Sequence, residues 1–463
     1  MTNLHELINK TQTYLSYFRS DDSNLKNRNV KSTAYLVAQA VIENALKFIS
    51  SLILTRIFLP EVYGTLTILY ATITGIHLLL DIGSRSYVVQ HHNGKDKNLL
   101  DTIWILNIAR GVIVYFFIFM LSGQFENLFG IDDLSLYLQI MGISVLITSF
   151  TSVNTLVLAK EIKQAQLVKL QLTARVFEIV VTVILALITE SIWAFIISNI
   201  IATLLYVILS YLISGKHLPR IYYHHRTALS VLSFSKWIFV SSILTYLVND
   251  GERFFLGILL QPSNLGLYHL ANMYASIPVL AIASLASHII FPSVSELVNN
   301  GQSYDSYLSK FIYGILLLGG LLSIFFSVFG LYIIDMLYTQ DYSKAGQYLQ
   351  ILSISIVAKL VALTLITVLL AHGNSISHMK FYALWALSKY ILIYLGMVFY
   401  GEIGAIIGVT ISSFLVLPIA YIISRKYLNI QLIKVSGLLL PTCMLIFVCW
   451  YYSGFISSIH SLI

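Results

Sequence analysis

Residues Leu52 to Gln90 read LILTRIFLPEVYGTLTILYATITGIHLLLDIGSRSYVVQ. Two apolar runs flank a turn, Pro60-Glu61-Val62-Tyr63-Gly64, and the second run closes on Asp81, Ile82, Gly83, Ser84 and Arg85. Runs of this length and hydropathy predict membrane-spanning helices. An acid and a base four residues apart are expensive at membrane depth, and an ionisable residue so placed is a functional-site candidate by default. The spacing Pro-x3-Gly returns at Pro262-Ser263-Asn264-Leu265-Gly266, an offset of 262 − 60 = 202 residues. The recurrence predicts a duplicated membrane protein, with the two turns at the same point of its two halves.

Composition sets the class. Of 463 residues, 57% are hydrophobic and only 11% charged, with a mean hydropathy of +0.82, against roughly 25% charged in soluble domains. The chain reads as an all-α polytopic membrane protein. Its formal charge of +7 calls for no nucleic acid, since Lys and Arg collect in the cytoplasmic loops of membrane proteins. Cys443 and Cys449 share the last apolar run and read as small lipid-buried hydrophobes, without disulfide or metal spacing. Residues 1–30 are polar, so the first apolar run reads as a span and not as the core of a cleavable signal. The chain contains no G-x-x-x-x-G-K-[ST], no H-E-x-x-H and no G-x-S-x-G. We therefore expect no cofactor, no metal and no hydrolytic site, with energy only from an ion or substrate gradient.

Apolar runs near 33–58, 62–84, 102–122, 134–158, 165–188, 191–213, 236–260, 265–291, 309–332, 346–371, 379–400, 402–424 and 436–457 predict thirteen spans, with twelve or fourteen as alternatives. With the N-terminus inside, the inner segments hold 19 of the 28 basic residues and the outer loops hold one, Lys344. The outer loops carry acids instead: Glu61, Glu126, Asp132, Asp133, Glu190, Asp341 and Glu402. Cytoplasmic loops are expected to hold such an excess of bases. The reading predicts a cytoplasmic leader over 1–30 and an N-terminal helix bundle over 31–214. A cytoplasmic joint over 215–235, a C-terminal bundle over 236–426 and an extra segment over 427–463 follow. His224 and His225 are adjacent in the joint, face different sides of any helix, and read as solvated loop, not a metal pair.

Eight bases and five acids fall within or at the ends of the spans. Glu43 and Lys47, like Asp81 and Arg85, are spaced i, i+4; Arg175 and Glu178, like Asp250 and Arg253, are spaced i, i+3, and both spacings bring side chains together on one helix face. Glu252 adjoins the last pair. Arg110, Lys359 and Lys389 have no acid at helical spacing, and Arg56 stands near a helix end. Any one of these reads as readily as a local ion pair or a snorkelling side chain as it does as a functional group. Together they require a polar interior, because lipid-facing charges are costly. A wet cavity lined by the first, second, seventh and eighth spans and their neighbours is the simplest arrangement.

More bases than acids predict an anionic ligand. Arginine offers phosphate a planar donor fork and lysine a point charge. The expected binding set is Lys47, Arg85, Arg110, Arg175, Arg253, Lys359 and Lys389. Glu43, Asp81, Glu178, Asp250 and Glu252 are the candidates to carry H+ or Na+, or to gate. Tyr70, Tyr246, Tyr268, Tyr274 and Trp237 read first as interface belt or core packing and second as platforms for sugar rings. His77 and His288 are isolated and read as core histidines, which, with short outer loops, leaves little for a glycan polymerase or acyltransferase. A scaffold or channel fits less well than a moving gate, because charged pairs fall in both halves.

Three stretches resemble a known family: LTRIFLPEVYGTLTIL with LLLDIGSRSYVVQHHNG, then LSFSKWIFVSSILTYLVNDGERFFLGILLQPSNLGLYHLANMYASIPVLAIASLASHIIFPSVSEL, then GAIIGVTISSFLVLPIAYII. Their order and spacing resemble the Wzx-like polysaccharide transporters of the multidrug/oligosaccharidyl-lipid/polysaccharide exporter superfamily, over nearly the whole chain after residue 30. The resemblance implies two six-helix bundles facing each other as a V around a central cavity; the chain departs from it in its polar leader and in the thirteenth run, which reads as an extra C-terminal span. It implies a multi-pass flippase of the bacterial cytoplasmic membrane, N-terminus inside. Its cargo would be an undecaprenyl-pyrophosphate-linked oligosaccharide repeat unit, moved by alternating access for surface polysaccharide such as O-antigen or capsule. Membrane lipid and a polysaccharide polymerase would be its other partners. By position, the family's cavity-charge role carries onto Lys47, Asp81, Arg85 and Arg253, and extends to Arg110, Arg175, Lys359 and Lys389. The alternative within the superfamily is a cation-coupled exporter of small amphiphilic molecules, whose cationic substrates would want fewer cavity bases.

Overall fold

The computed structural model describes residues 25–213, 218–286 and 290–427. Most of the expected leader, His288, the side chain of Trp237, and the thirteenth run with Cys443 and Cys449 lie outside the described residues. Every regular element among the described residues is helical. The first half holds α1 (Leu25–Leu54), α2 (Pro60–Leu79), α3 (Ser84–Gln90), α4 (Lys97–Phe129), α5 (Leu134–Ser149), α6 (Asn154–Lys160), α7 (Gln164–Thr189) and α8 (Trp193–Ile213). The second holds α9 (His225–Asn249), α10 (Gly251–Leu259), α11 (Pro262–Leu285), α12 (Phe291–Asn299), α13 (Asp305–Leu337), α14 (Ser343–Ser353), α15 (Ile356–Ala371) and α16 (Ser375–Ser424).

Among the described residues, eight helices have the length and hydropathy of a span, and two bent pairs, α5 with α6 and α14 with α15, raise the number to ten. α16 is itself two helices, because Tyr400 and Gly401 leave helical geometry in its middle. α11 adds a further 24-residue helix, which carries Asn264, His269 and Asn272. The described residues thus follow the first twelve expected runs.

The turn at Pro60 explains how the halves meet. Pro60 and Pro262 each open a helix at its first position, where the missing N–H is one that a helix start leaves free anyway. α2 is the most enclosed helix of its half, with twelve of its twenty residues buried, and it packs along α11. The contact is reciprocal: a methyl group added to Gly64 would overlap the Pro262 carbonyl, and one added to Gly266 would overlap the Pro60 carbonyl. Only glycine lets the two backbones approach this closely. Equivalent turns touching in this way are what a local twofold between duplicated halves produces.

The halves are also joined by α9. Its first turns bond to the first half, through Tyr87 Oη and Ser230 Oγ at 2.7 Å and Ser235 Oγ to the Ile82 carbonyl at 2.6 Å. The stretch before it docks on the start of α4, where Asp101 accepts from the Arg220 N–H and Thr102 from that of His224. His224 then caps α9 by accepting from the Thr227 N–H. The far end of α9 belongs to the second half: Tyr390 Oη donates to the Leu247 carbonyl at 2.6 Å and Lys389 Nζ to that of Val248 at 2.7 Å. The largest apolar core runs from α2 and α11 into α14, α15 and α16, with Tyr268, Tyr342, Tyr348 and Phe381 fully buried.

Candidate functional site: a charged cavity between the halves

A cavity of about 880 Å³ opens between the halves, walled by α1, α2, α5, α7, α8, α10 and α11. That is within the usual range for ligand sites, roughly 300–1,000 Å³. Two polar stripes face it. Gln39, Glu43 and Lys47 recur at four-residue steps on α1, and Gln171, Arg175, Glu178 and Thr182 follow at helical spacing on α7. Such spacing stacks side chains along one face of a helix. Gln39 Nε2 ties the stripes together, donating to Glu43 at 2.7 Å and to Gln171 at 2.8 Å.

Arg175 is paired with Glu178 at 2.7 Å, and Asn199 Nδ2 donates to the other Glu178 oxygen at 3.3 Å. Across the cavity Arg253 reaches Asp250 through one nitrogen at 3.3 Å, while its buried Nε has no partner among the described residues. Asp250 stands where α9 ends and α10 begins, so the break in the span delivers this pair to the cavity wall. Lys47 makes no ion pair within 4 Å among the described residues and lies in the combined field of Arg175, Arg253, Glu43 and Glu178.

At the Pro60 and Pro262 end the cavity is capped by tyrosines from both halves. Tyr338 Oη bonds to Ser51 Oγ at 2.9 Å and to Tyr274 Oη at 2.8 Å, and Tyr342 Oη donates to the Phe58 carbonyl at 2.7 Å. Tyr63 meets Tyr342 edge-on at 6.1 Å and stacks on His269 at 6.4 Å. The His269 Nδ1 is buried without a partner among the described residues.

Six of the expected charged residues line this cavity: Lys47, Arg175, Arg253, Glu43, Glu178 and Asp250. The other six do not. Asp81 pairs with Arg110 of α4 at 3.3 Å and accepts from the Gly83 N–H at 3.0 Å, and Arg85 is exposed. This corrects the Asp81–Arg85 pairing: α2 ends at Leu79 and Gly83 takes a left-handed φ of 63°, so the i, i+4 rule does not reach across the break. Arg110 correspondingly has the acid partner that its own helix lacks. Glu43 and Lys47, on one unbroken helix, still make no ion pair among the described residues, because Glu43 is bound by Gln39.

The third group lies in the core of the second half. Glu252 and Lys389 pair at 2.7 Å with only 8% and 4% of their side chains exposed, so they are walled off from the cavity. Tyr268 Oη donates to Glu252, and Lys389 also stands 5.1 Å from the Trp385 ring. Lys359 sits in the field of this pair. Among the aromatic residues, Tyr70 lines the cavity. Tyr246 bonds to the Ala71 carbonyl at 3.1 Å, and Tyr268 and Tyr274 are buried. Sequence reasoning overlooked Gln39, Gln171, Tyr63 and His269, although Gln39 falls on the four-residue step of Glu43 and Lys47.

The chain matches the family model described as polysaccharide biosynthesis protein over residues 53–347. It belongs to that family. It is 24% identical to an uncharacterized membrane protein in the cps region of Klebsiella pneumoniae, over 94% of this chain and 91% of the relative. It is 20% identical to the lipopolysaccharide biosynthesis protein WzxC of Escherichia coli (strain K12), over 86% and 80% of the two chains. Its fold matches that of the lipid II flippase MurJ in an inward closed conformation, with a TM-score of 0.69 at 15% identity, over 89% and 92% of the two chains. The family assignment bears out the Wzx-like resemblance, and the fold match bears out an all-α membrane protein of two helical lobes. The protein is a multi-pass membrane transporter, not an enzyme.

Proposed function

We propose that this polysaccharide biosynthesis protein flips an undecaprenyl-pyrophosphate-linked oligosaccharide repeat unit across the bacterial cytoplasmic membrane by alternating access. The observation that carries the reading is the convergence of Lys47, Arg175 and Arg253 on one cavity between the lobes. The diphosphate would lie on these bases, with Arg253 bringing a guanidinium whose Nε has no partner among the described residues. Gln39, Asn44, Gln171 and Thr203 on the same walls supply donors and acceptors for glycan hydroxyls, and Tyr70 supplies a ring face. With the N-terminus cytoplasmic, the tyrosine-capped end faces outward, so the cavity is in its inward-facing state. The bundles over 31–214 and 236–426 would rock so as to part the Pro60–Pro262 contact, with 215–235 as their cytoplasmic joint. Glu43, Glu178 and Asp250 are the carboxylates within reach of the ligand and so the ones to couple transport to H+ or Na+. A polysaccharide polymerase would take the delivered unit.

Deleting the gene and measuring lipid-linked intermediates by mass spectrometry tests this. A complete repeat unit should accumulate on undecaprenyl pyrophosphate while surface polymer falls. A normal pool with unchanged polymer would favour the second reading, an exporter of small amphiphilic cations. That reading draws on one observation: three acids face the cavity beside the three bases.

A further inference from the structure

The cavity holds Lys47, Arg175 and Arg253 against Glu43, Glu178 and Asp250, so the excess of bases expected from the sequence is absent where the ligand would bind. Both arginines are already occupied by carboxylates, and they are held unequally. Glu178 takes Arg175 at 2.7 Å and keeps a second hold on Asn199. Asp250 takes Arg253 through a single long contact and leaves the buried Nε without a partner. Lys47 alone of the three has no acid within ion-pair distance among the described residues.

We propose that Glu178 and Asp250 are built-in stand-ins for the substrate's phosphates, which occupy the arginines of the empty cavity, yield them to an incoming diphosphate and reclaim them to expel it. The inference rests on the flippase reading above and adds to it a release mechanism. A carrier must bind firmly enough to load and loosely enough to unload. Three uncompensated bases in a wet but partly enclosed cavity would load well and release poorly, since charged pairs out of bulk water are strong. Exchange of one anion for another leaves each arginine paired before and after, so neither step strands a buried charge. Loading would begin at Lys47, which makes no ion pair among the described residues, and at Arg253, whose Nε lacks a partner there. A bidentate phosphate satisfies the guanidinium better than the single Asp250 contact does. Glu178, once displaced, stays bonded to Asn199 and within reach of Lys47, so it is kept ready to return.

The test uses the full chain in lipid nanodiscs, with farnesyl pyrophosphate as the probe and farnesol as the uncharged control, read by calorimetric titration. Glu178→Gln and Asp250→Asn are near-isosteric, and each is checked for monodispersity, so one variant suffices if the other misfolds. Each should bind the probe about tenfold more tightly than the natural protein, equivalent to about 1.4 kcal/mol, and each should export less polymer in cells because release is slowed. Unchanged or weaker binding in both, with binding still lost in Arg253→Gln, would overturn the stand-in role and leave the flippase reading standing. Failure of the natural protein and every variant to bind the probe would remove the flippase reading and this inference together.

Discussion

Arg253 is the sharpest test of the chemistry, because its guanidinium lines the cavity with a single long contact to Asp250 and a buried Nε that has no partner among the described residues. Arg253→Ala should abolish polymer export while membrane insertion, followed by membrane fractionation, stays normal. Arg253→Lys should keep only part of the export, since a lysine restores the charge without the planar fork; full export by the lysine variant would mean that charge alone suffices. Lys389 predicts the opposite behaviour. It is buried with Glu252 in the core of the second lobe, where removing one partner leaves an uncompensated charge. Lys389→Ala should destabilise the solubilised protein by roughly 3–5 kcal/mol, whereas replacing both partners with apolar residues of similar volume should recover most of that loss. If export recovers with stability in the double variant, Lys389 and Glu252 hold the lobe and do not handle substrate.

At the scale of the element, what could be read in advance depended on whether a helix was continuous and on which other partners a side chain met, since Glu43 and Lys47 share one unbroken helix and Glu43 is bound by Gln39 instead. Hydropathy placed the runs, because a span must satisfy its backbone internally and is long enough to show in any window. The i, i+3 pairs Arg175–Glu178 and Asp250–Arg253 formed as spaced, since neither is crossed by a change of helix axis that separates its members. Asp81 and Arg85 straddle the break after α2, and their pairing failed. Sorting the eight span bases between cavity, lobe core and helix ends was not legible, because it depends on which face each helix turns to which neighbour, and composition averages over faces. The Gln39–Gln171 bond joins residues 132 apart, which no local pattern announces. Loop elements carry their own charges. Glu161, in the turn between α6 and α7, is held by Lys163 at 2.6 Å and Lys95 at 2.5 Å, and these bonds pull its carboxyl down from 4.5 to about 2. A carboxyl depressed on folding stabilises above its unfolded pKa and loses that contribution as pH falls through the folded one. Glu161→Gln should therefore be less stable than the natural protein at pH 7, by less than about 1 kcal/mol because both lysines are half exposed. Thermal unfolding should show that gap narrowing from about pH 4.5 toward pH 2.

For the whole molecule, the Pro60 and Pro262 turns decide which end is shut. Their reciprocal glycine contact and the tyrosine cap are the closure at one end of the cavity, and rocking the lobes must separate them. A side chain at either glycine has only backbone to push against, because the nearest atoms to the added carbon are the proline carbonyls of the opposite turn. Gly266→Ala should therefore wedge this end apart and bias the protein toward the state in which it is open. Tyr342→Phe should shift it the same way by less, since it removes one hydrogen bond to the Phe58 carbonyl, worth about 1 kcal/mol. A cysteine placed at Ser50, which lines the cavity, reports the shift through labelling by a membrane-impermeant thiol reagent added from outside intact cells. Faster labelling in Gly266→Ala than in the parent, with Tyr342→Phe between them, is the expected order. Equal labelling in all three would mean that the cap is not the outer closure, and the assignment of this end to the outer face would fall with it. The two glycines should also behave alike, because the contact is reciprocal: Gly64→Ala giving the same acceleration as Gly266→Ala would show that the duplicated turns work as one joint.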